Sequence, residues 1–362
     1  MRSIKNIFWN EEQHRLRAWW RLSIQAILLL FFLLGAQIVV GILAAFGMLL
    51  GWEPALETLT DLQAIQQLMV QAPWVMMLLQ LSMTVAITLS VWVSGRILDR
   101  RSFAGFGLRL SSDWWRDLGF GLLLGAVLML LIFLVQLAAG WVSVTETFST
   151  REPEATFLVA ILPPLITFLA VGFHEELWSR GYQLRNLAEG LNWSVIGPRG
   201  AIILATVATS GLFGLLHALN PNATAISTLY LSVAGIFLAA GYLVTGELAI
   251  PVGLHITWNF FQGNVFGFPV SGTDFTSATV LRIEQSGPDV WTGGAFGPEA
   301  GFLGLAAMLL GILLTVLWVR WRYGTISLHL PLAQTPERTE PGAESRNLTS
   351  NHRRTTGDQI ER

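Results

Sequence analysis

The sequence predicts an all-α, polytopic membrane protein of about eight transmembrane helices, and three observations carry that expectation. Of its residues, 52% are hydrophobic and only 13% charged, against roughly 25% charged in soluble domains. Eight apolar stretches approach the roughly 20 helical residues needed to cross a hydrocarbon core about 30 Å thick. Arginines also alternate from loop to loop, as they do when one set of loops is retained in the cytoplasm.

The first stretch runs without charge from Leu22 to Trp52, which is too long for the apolar region of a cleaved leader. The second and third lie within Pro73–Gly95 and Leu118–Trp141, the latter anchored by Trp114, Trp115 and Arg116. A fourth begins near Ala155 and runs into His174, Glu175 and Glu176. The fifth covers Gly200–Leu216 and reaches His217. The sixth spans Ala223–Thr245, the seventh starts at Leu248 and contains His255, and the eighth occupies Gly301–Val319. Arg15, Arg17 and Arg21 precede the first span; Arg96, Arg100, Arg101, Arg109 and Arg116 separate the second from the third; Arg180, Arg185 and Arg199 follow the fourth; Arg320 and Arg322 follow the last. The opposite loops hold only Arg151 and Arg282. The alternation predicts both termini in the cytoplasm, and hence an even number of spans.

Three regions follow. Residues 1–21 form a cytoplasmic N-terminal segment, in which Trp9–Trp20 reads either as an amphipathic interfacial helix or as a charged flank. Residues 22–323 form the transmembrane domain. Residues 324–362, rich in Thr, Pro, Glu, Arg and Asn, read as a disordered cytoplasmic tail, because such a composition buries too little apolar surface to fold alone. The Gly-, Ser- and Thr-rich segment 268–300 reads as an external connector, with a lid as the alternative. A net charge of −2 gives no reason to expect nucleic acid as a partner. The chain has no cysteine, which excludes disulfides, cysteine-ligated zinc and a thiol nucleophile.

Ionisable residues inside a membrane helix cost about 2.5–3.5 kcal/mol each on insertion scales, so they mark function by default. Here they cluster on three spans. Glu176 and Arg180 are four residues apart and share a helix face, while Glu175 is turned about 100° away. Phe213 and His217 share a stripe on the fifth span, as do His255 and Asn259 on the seventh. Glu175 in apolar surroundings suits a base for water, His217 can share that water, and His255 with Asn259 provides two donors for an oxyanion. These are the parts for peptide hydrolysis by activated water. His174 reads as structural. The alternative is a non-catalytic transporter or bacteriocin-immunity protein whose buried Glu/His cluster binds a ligand or relays protons.

The three motifs, Glu175-Glu176-x-x-x-Arg180, Phe213-x-x-x-His217 and His255-x-x-x-Asn259, resemble those of the CAAX prenyl protease and bacteriocin-processing family of intramembrane peptidases, also called the abortive-infection family. The resemblance covers about residues 155–268. It implies that Glu175 and His217 activate the hydrolytic water, that His255 and Asn259 stabilise the oxyanion, and that Glu176 and Arg180 support the site, with Phe213 beside it. The family is often described as metal-dependent. The compact His-Glu-x-x-His motif of zinc proteases is missing here, so the expectation is a site without metal, zinc being the alternative. The expected substrate is a hydrophobic or membrane-tethered peptide, and the expected location is a prokaryotic plasma membrane. Because His217 lies deep along its span from the arginine-rich side while His255 lies shallow, the fourth and fifth helices are expected to extend into the cytoplasm, opening the cavity to the cytoplasmic half.

Overall fold

The computed structural model describes residues 6–336 apart from 12, 50–71 and 152–154. The acidic residues Glu53, Glu57, Asp61, Glu152 and Glu154 and the tail from 337 onward lie outside the described residues.

Among the described residues, seven helices are long and apolar enough to cross a membrane. Six of them are α1 (Ala18–Leu49), α2 (Pro73–Ser94), α3 (Ser112–Ala138), α5 (Gly197–Leu216), α6 (Ala225–Thr245) and α8 (Phe302–Tyr323). The other, α4 (Leu162–Glu176), continues through a widened π turn, Leu177–Leu184, into a further helix, Arg185–Leu191. With seven long apolar helices, the chain is a multi-pass membrane protein. The expected seventh span is a different object. Helix α7 (Ala249–Phe260) has 12 residues, about 18 Å at 1.5 Å per residue, and passes into a second π turn, Phe261–Val265. It is buried almost throughout, packed mainly against α3 and α4.

That packing is read directly from glycines. A Cβ at Gly253 of α7 would lie 2.4 Å from the Leu118 carbonyl oxygen of α3, and one at Gly172 of α4 would lie 2.9 Å from the Ile256 nitrogen of α7. Only a hydrogen side chain permits such backbone contact, the usual means of close helix approach where lipid supplies no hydrophobic drive. Helix α7, which carries His255 and Asn259, is thereby surrounded by protein.

One end of the bundle is tied by ions. Arg21 bridges Asp99 and Glu189, each at 2.5 Å, Arg101 reaches Glu189 at 2.8 Å, and Arg15 pairs with the same carboxylate. All five side chains are buried. The N-terminal segment enters this cluster as an antiparallel ribbon, β1 (Trp9–Asn10) against β2 (Arg15–Leu16), so the amphipathic helix considered for Trp9–Trp20 is replaced by a ribbon that delivers Arg15 to Glu189.

The start of the expected disordered tail is corrected in the same place. Residues 325–336 fold back on the bundle: His329 N–H donates to the Leu243 carbonyl at 2.8 Å, Asn192 Nδ2 to Ala333 O at 2.9 Å, and Arg101 to Gln334 O at 2.8 Å. Leu332 and Ala333 are fully buried. Apolar anchors within the strap Ile326-Ser327-Leu328-His329-Leu330-Pro331-Leu332 outweigh the polar composition averaged over the tail.

At the opposite end, β3 (Val142–Thr150) pairs antiparallel with β4 (Ala278–Gln285), from Val142↔Gln285 to Thr150↔Ala278. This ribbon and the turns of 268–300 cap the bundle. The two strands add to a helical fold without altering its class.

Candidate active site

Helix α4 carries Glu175 and Glu176 on different sides, and the two carboxylates meet different surroundings. Glu176 is fully buried. Its Oε1 accepts from Arg180 Nη1 at 2.7 Å and from His255 Nδ1 at 2.8 Å. Arg180 also donates through Nη2 to the Gly235 carbonyl of α6 at 2.8 Å, and its guanidinium lies over the Phe213 ring, 4.8 Å from the centroid. Phe213 is a hub: its ring is 4.7 Å from that of His217 and 6.2 Å from that of His255. Three helices are thus fastened around one aromatic ring, with a cation–π contact on its face.

Glu175 is held by none of these bonds. Its side chain is 28% exposed, and the nearest basic atom is His255 Nε2 at 3.8 Å, beyond hydrogen-bonding distance. His255, His217, His174 and Arg180 are all within Coulombic reach. Together with His217, His255 and Asn259 it borders a cavity of about 590 Å³. Much of the wall is apolar, including Leu29 and Leu33 of α1, Met76 and Met83 of α2, and Phe168 of α4.

Two tautomers follow from the partners. His217 Nδ1 is 2.7 Å from the Phe213 carbonyl, which can only accept, so Nδ1 carries the proton and Nε2 of the neutral ring is an acceptor. Thr84 Oγ1 donates to the Gln80 carbonyl at 2.7 Å and so accepts from His174 Nδ1, 2.9 Å away. The structure gives His174 a helix-bridging contact, yet it also borders the cavity.

The structure therefore brings Glu175, Glu176, Arg180, Phe213, His217, His255 and Asn259 to one place. The cavity lies farther from the arginine-rich loops than the expected opening to the cytoplasmic half requires. Ser271, Thr273, Phe275 and Glu299 stand in its wall, placing it towards the end carrying 268–300, where α5 ends and His217 caps it. The depth mismatch arose from treating α7 as a full span. The walls from α1 and α2, and Glu299, were not read from the sequence as parts of the site; the first two carry no polar motif, and Glu299 lies in the 268–300 segment, outside the three motifs.

Among the described residues no three histidine or carboxylate groups are placed to share one metal ion. Glu176 is committed to Arg180 and His255, and the Nδ1 atoms of both motif histidines are engaged.

Residues 157–261 match the family model described as type II CAAX prenyl endopeptidase Rce1-like. This is the segment that carries all three motifs. At the level of the family the Rce1-like match is to a CAAX-type membrane protease, a hydrolase, in agreement with the resemblance noted above. No curated protein and no solved structure matches the chain.

Proposed function

We propose that the chain is an intramembrane endopeptidase that hydrolyses a hydrophobic or membrane-tethered peptide with water activated by Glu175. The observation that carries this reading is the division of labour between adjacent carboxylates: Glu176 is tied through Oε1 to Arg180 and His255, whereas Glu175 faces a largely apolar cavity with no hydrogen-bonded partner among the described residues. A carboxylate so placed takes a proton from water. His217 Nε2 accepts the water's second hydrogen and fixes its direction. The oxygen attacks the scissile carbonyl, whose developing oxyanion meets the Asn259 amide and, in its imidazolium form, His255 Nε2–H. Glu175 then returns the proton to the leaving amine, and the carbon–nitrogen bond breaks. Glu176 and Arg180 hold His255 in register.

The apolar wall fits side chains or a lipid-like anchor of a substrate delivered through the bilayer. The arginine distribution supports cytoplasmic termini in a plasma membrane, and the arginine-rich composition supports a prokaryotic source. Every step uses side chains of the chain alone, so 1,10-phenanthroline and EDTA are expected to leave turnover unchanged; loss of activity restored by added zinc would overturn the metal-free reading.

The decisive experiment is mass-spectrometric profiling of a membrane-peptide library with the liposome-reconstituted protein and Glu175→Gln, with thermal melts as a folding control. New peptide termini made only by the unsubstituted protein are expected. None from either folded protein would turn the reading towards ligand or proton binding without catalysis.

A further inference from the structure

Glu299 takes no part in the chemistry above, yet it borders the same cavity and is 3% exposed. Its Oε1 accepts the Ser271 main-chain N–H at 2.5 Å and the Ser271 hydroxyl at 3.3 Å. Its Oε2 accepts from the Gln262 side-chain amide, whose same nitrogen donates to the Pro269 carbonyl at 2.5 Å. Among the described residues no cation pairs with it. Burial lifts its carboxyl to about 7.

What Glu299 holds is a tight turn. Val270 and Thr273 exchange two main-chain hydrogen bonds of 2.9 Å, and Ser271 and Gly272 have φ of 47° and 83°, the two positive values of a type I′ turn. The turn is pinned elsewhere too. Asn220 Nδ2 donates to Ser271 O at 2.9 Å, Asn222 Nδ2 to Gly272 O at 3.2 Å, and Gly272 N–H to Phe296 O at 2.7 Å. A Cβ on Gly272 would lie 1.8 Å from the Pro221 carbonyl oxygen. Asn220 follows His217 by three residues, and Gln262 follows Asn259 by three. The chain leaving the second motif and the chain leaving the third therefore converge on one turn, and that turn stands in the cavity wall through Val270, Ser271 and Thr273.

We propose that Glu299 is a positioning residue that latches the 269–273 turn as a roof on the active-site cavity, and that this roof sets how a bound peptide lies against Glu175. The segment 268–300 is thus part of the site rather than a connector. The kinetic consequence rests on the peptidase reading; the latch itself does not.

The absence of native cysteine makes the test direct. Thr273→Cys is labelled with a maleimide in the otherwise unsubstituted protein and with Glu299→Gln, while Ser112→Cys at the far end serves as the control. Loss of one or two charge-assisted hydrogen bonds is expected to raise labelling at 273 about tenfold and leave the control unchanged. Peptide KM is expected to rise several-fold more than kcat falls, with Glu299→Asp recovering part of the loss. Should Glu299→Gln melt early, Gln262→Met removes one arm of the latch and is read by the same rates. Unchanged labelling in folded variants would overturn the latch, and raised labelling with unchanged KM would overturn the roof. Raised labelling in a protein that cleaves nothing would keep the latch and remove the peptidase reading instead.

Discussion

The molecule contains two buried clusters of arginine and carboxylate, one at each functional extreme. Around Glu189, three arginines occupy both carboxylate oxygens, and the five charged groups draw together the N-terminal ribbon, the end of α2 and the helix Arg185–Leu191, with the C-terminal strap joined through Arg101. Around Glu176, one arginine and one histidine occupy a single oxygen, and the next carboxylate along the chain is left facing a cavity. A carboxylate engaged through both oxygens, as Glu189 is, fixes helices. The proposed chemistry rests instead on a carboxylate beside the second cluster that stays open to a cavity. Buried charge alone separates neither case; access to the cavity does.

The comparison can be broken or sharpened by substitution. Glu175→Gln is expected to reduce turnover by about 10²–10⁴-fold, the range for removing a general base, with no loss of melting temperature; a lower melting temperature with retained cleavage would assign it to the structural class. Glu189→Ala is expected to do the reverse. Leaving three buried arginines without their shared anion costs about 3–5 kcal/mol, read by denaturation in detergent, while the surviving folded fraction retains its turnover.

Glu299 lies between the two, buried with no cation paired to it among the described residues. Its carboxyl rises from 4.5 in the unfolded chain to about 7 in the fold, so between these values the folded state binds more protons. Its contribution to stability is full below about pH 4.5 and is lost as pH rises through about 7, a span of about 3 kcal/mol at most. Melting temperature is therefore expected to fall from pH 5 to pH 8, and Glu299→Gln to flatten that slope. The smallest effect is expected from Phe213→Leu, which removes the ring beneath Arg180 and costs about 0.5–2 kcal/mol in kcat/KM; a larger loss would show that the ring orients His217 as well.

Much of this was legible in the sequence because the relevant signals are local. Hydropathy located the seven long helices, and i,i+4 spacing placed Glu176 with Arg180 and Phe213 with His217. The pairings across helices, such as Glu176 with His255, depend on small residues like Gly172 that let backbones touch, and these carry no polar label. The short length of α7 was hidden by the apolar residues on both sides of it, which extend a hydropathy window beyond the real helix ends. The docked strap at 325–336 was masked by the polar residues that follow it, and the roof of the cavity by turn chemistry that reads as an ordinary loop.

Helix α7 has a consequence for how the protein is made. With its π turn it runs from Ala249 to Val265, about 25 Å and still shorter than the roughly 30 Å that a nascent segment must bridge, and it carries His255 and Asn259. It is poorly suited to leave the insertion machinery for lipid by itself and fits the bilayer only once α3 and α4 provide a groove for it. Two of the three motif-bearing helices can enter the membrane as independent segments, while the third arrives by tertiary docking. Assembly of the motif cluster is thereby tied to completion of the bundle, so an incompletely assembled chain lacks His255 and Asn259 at the cavity.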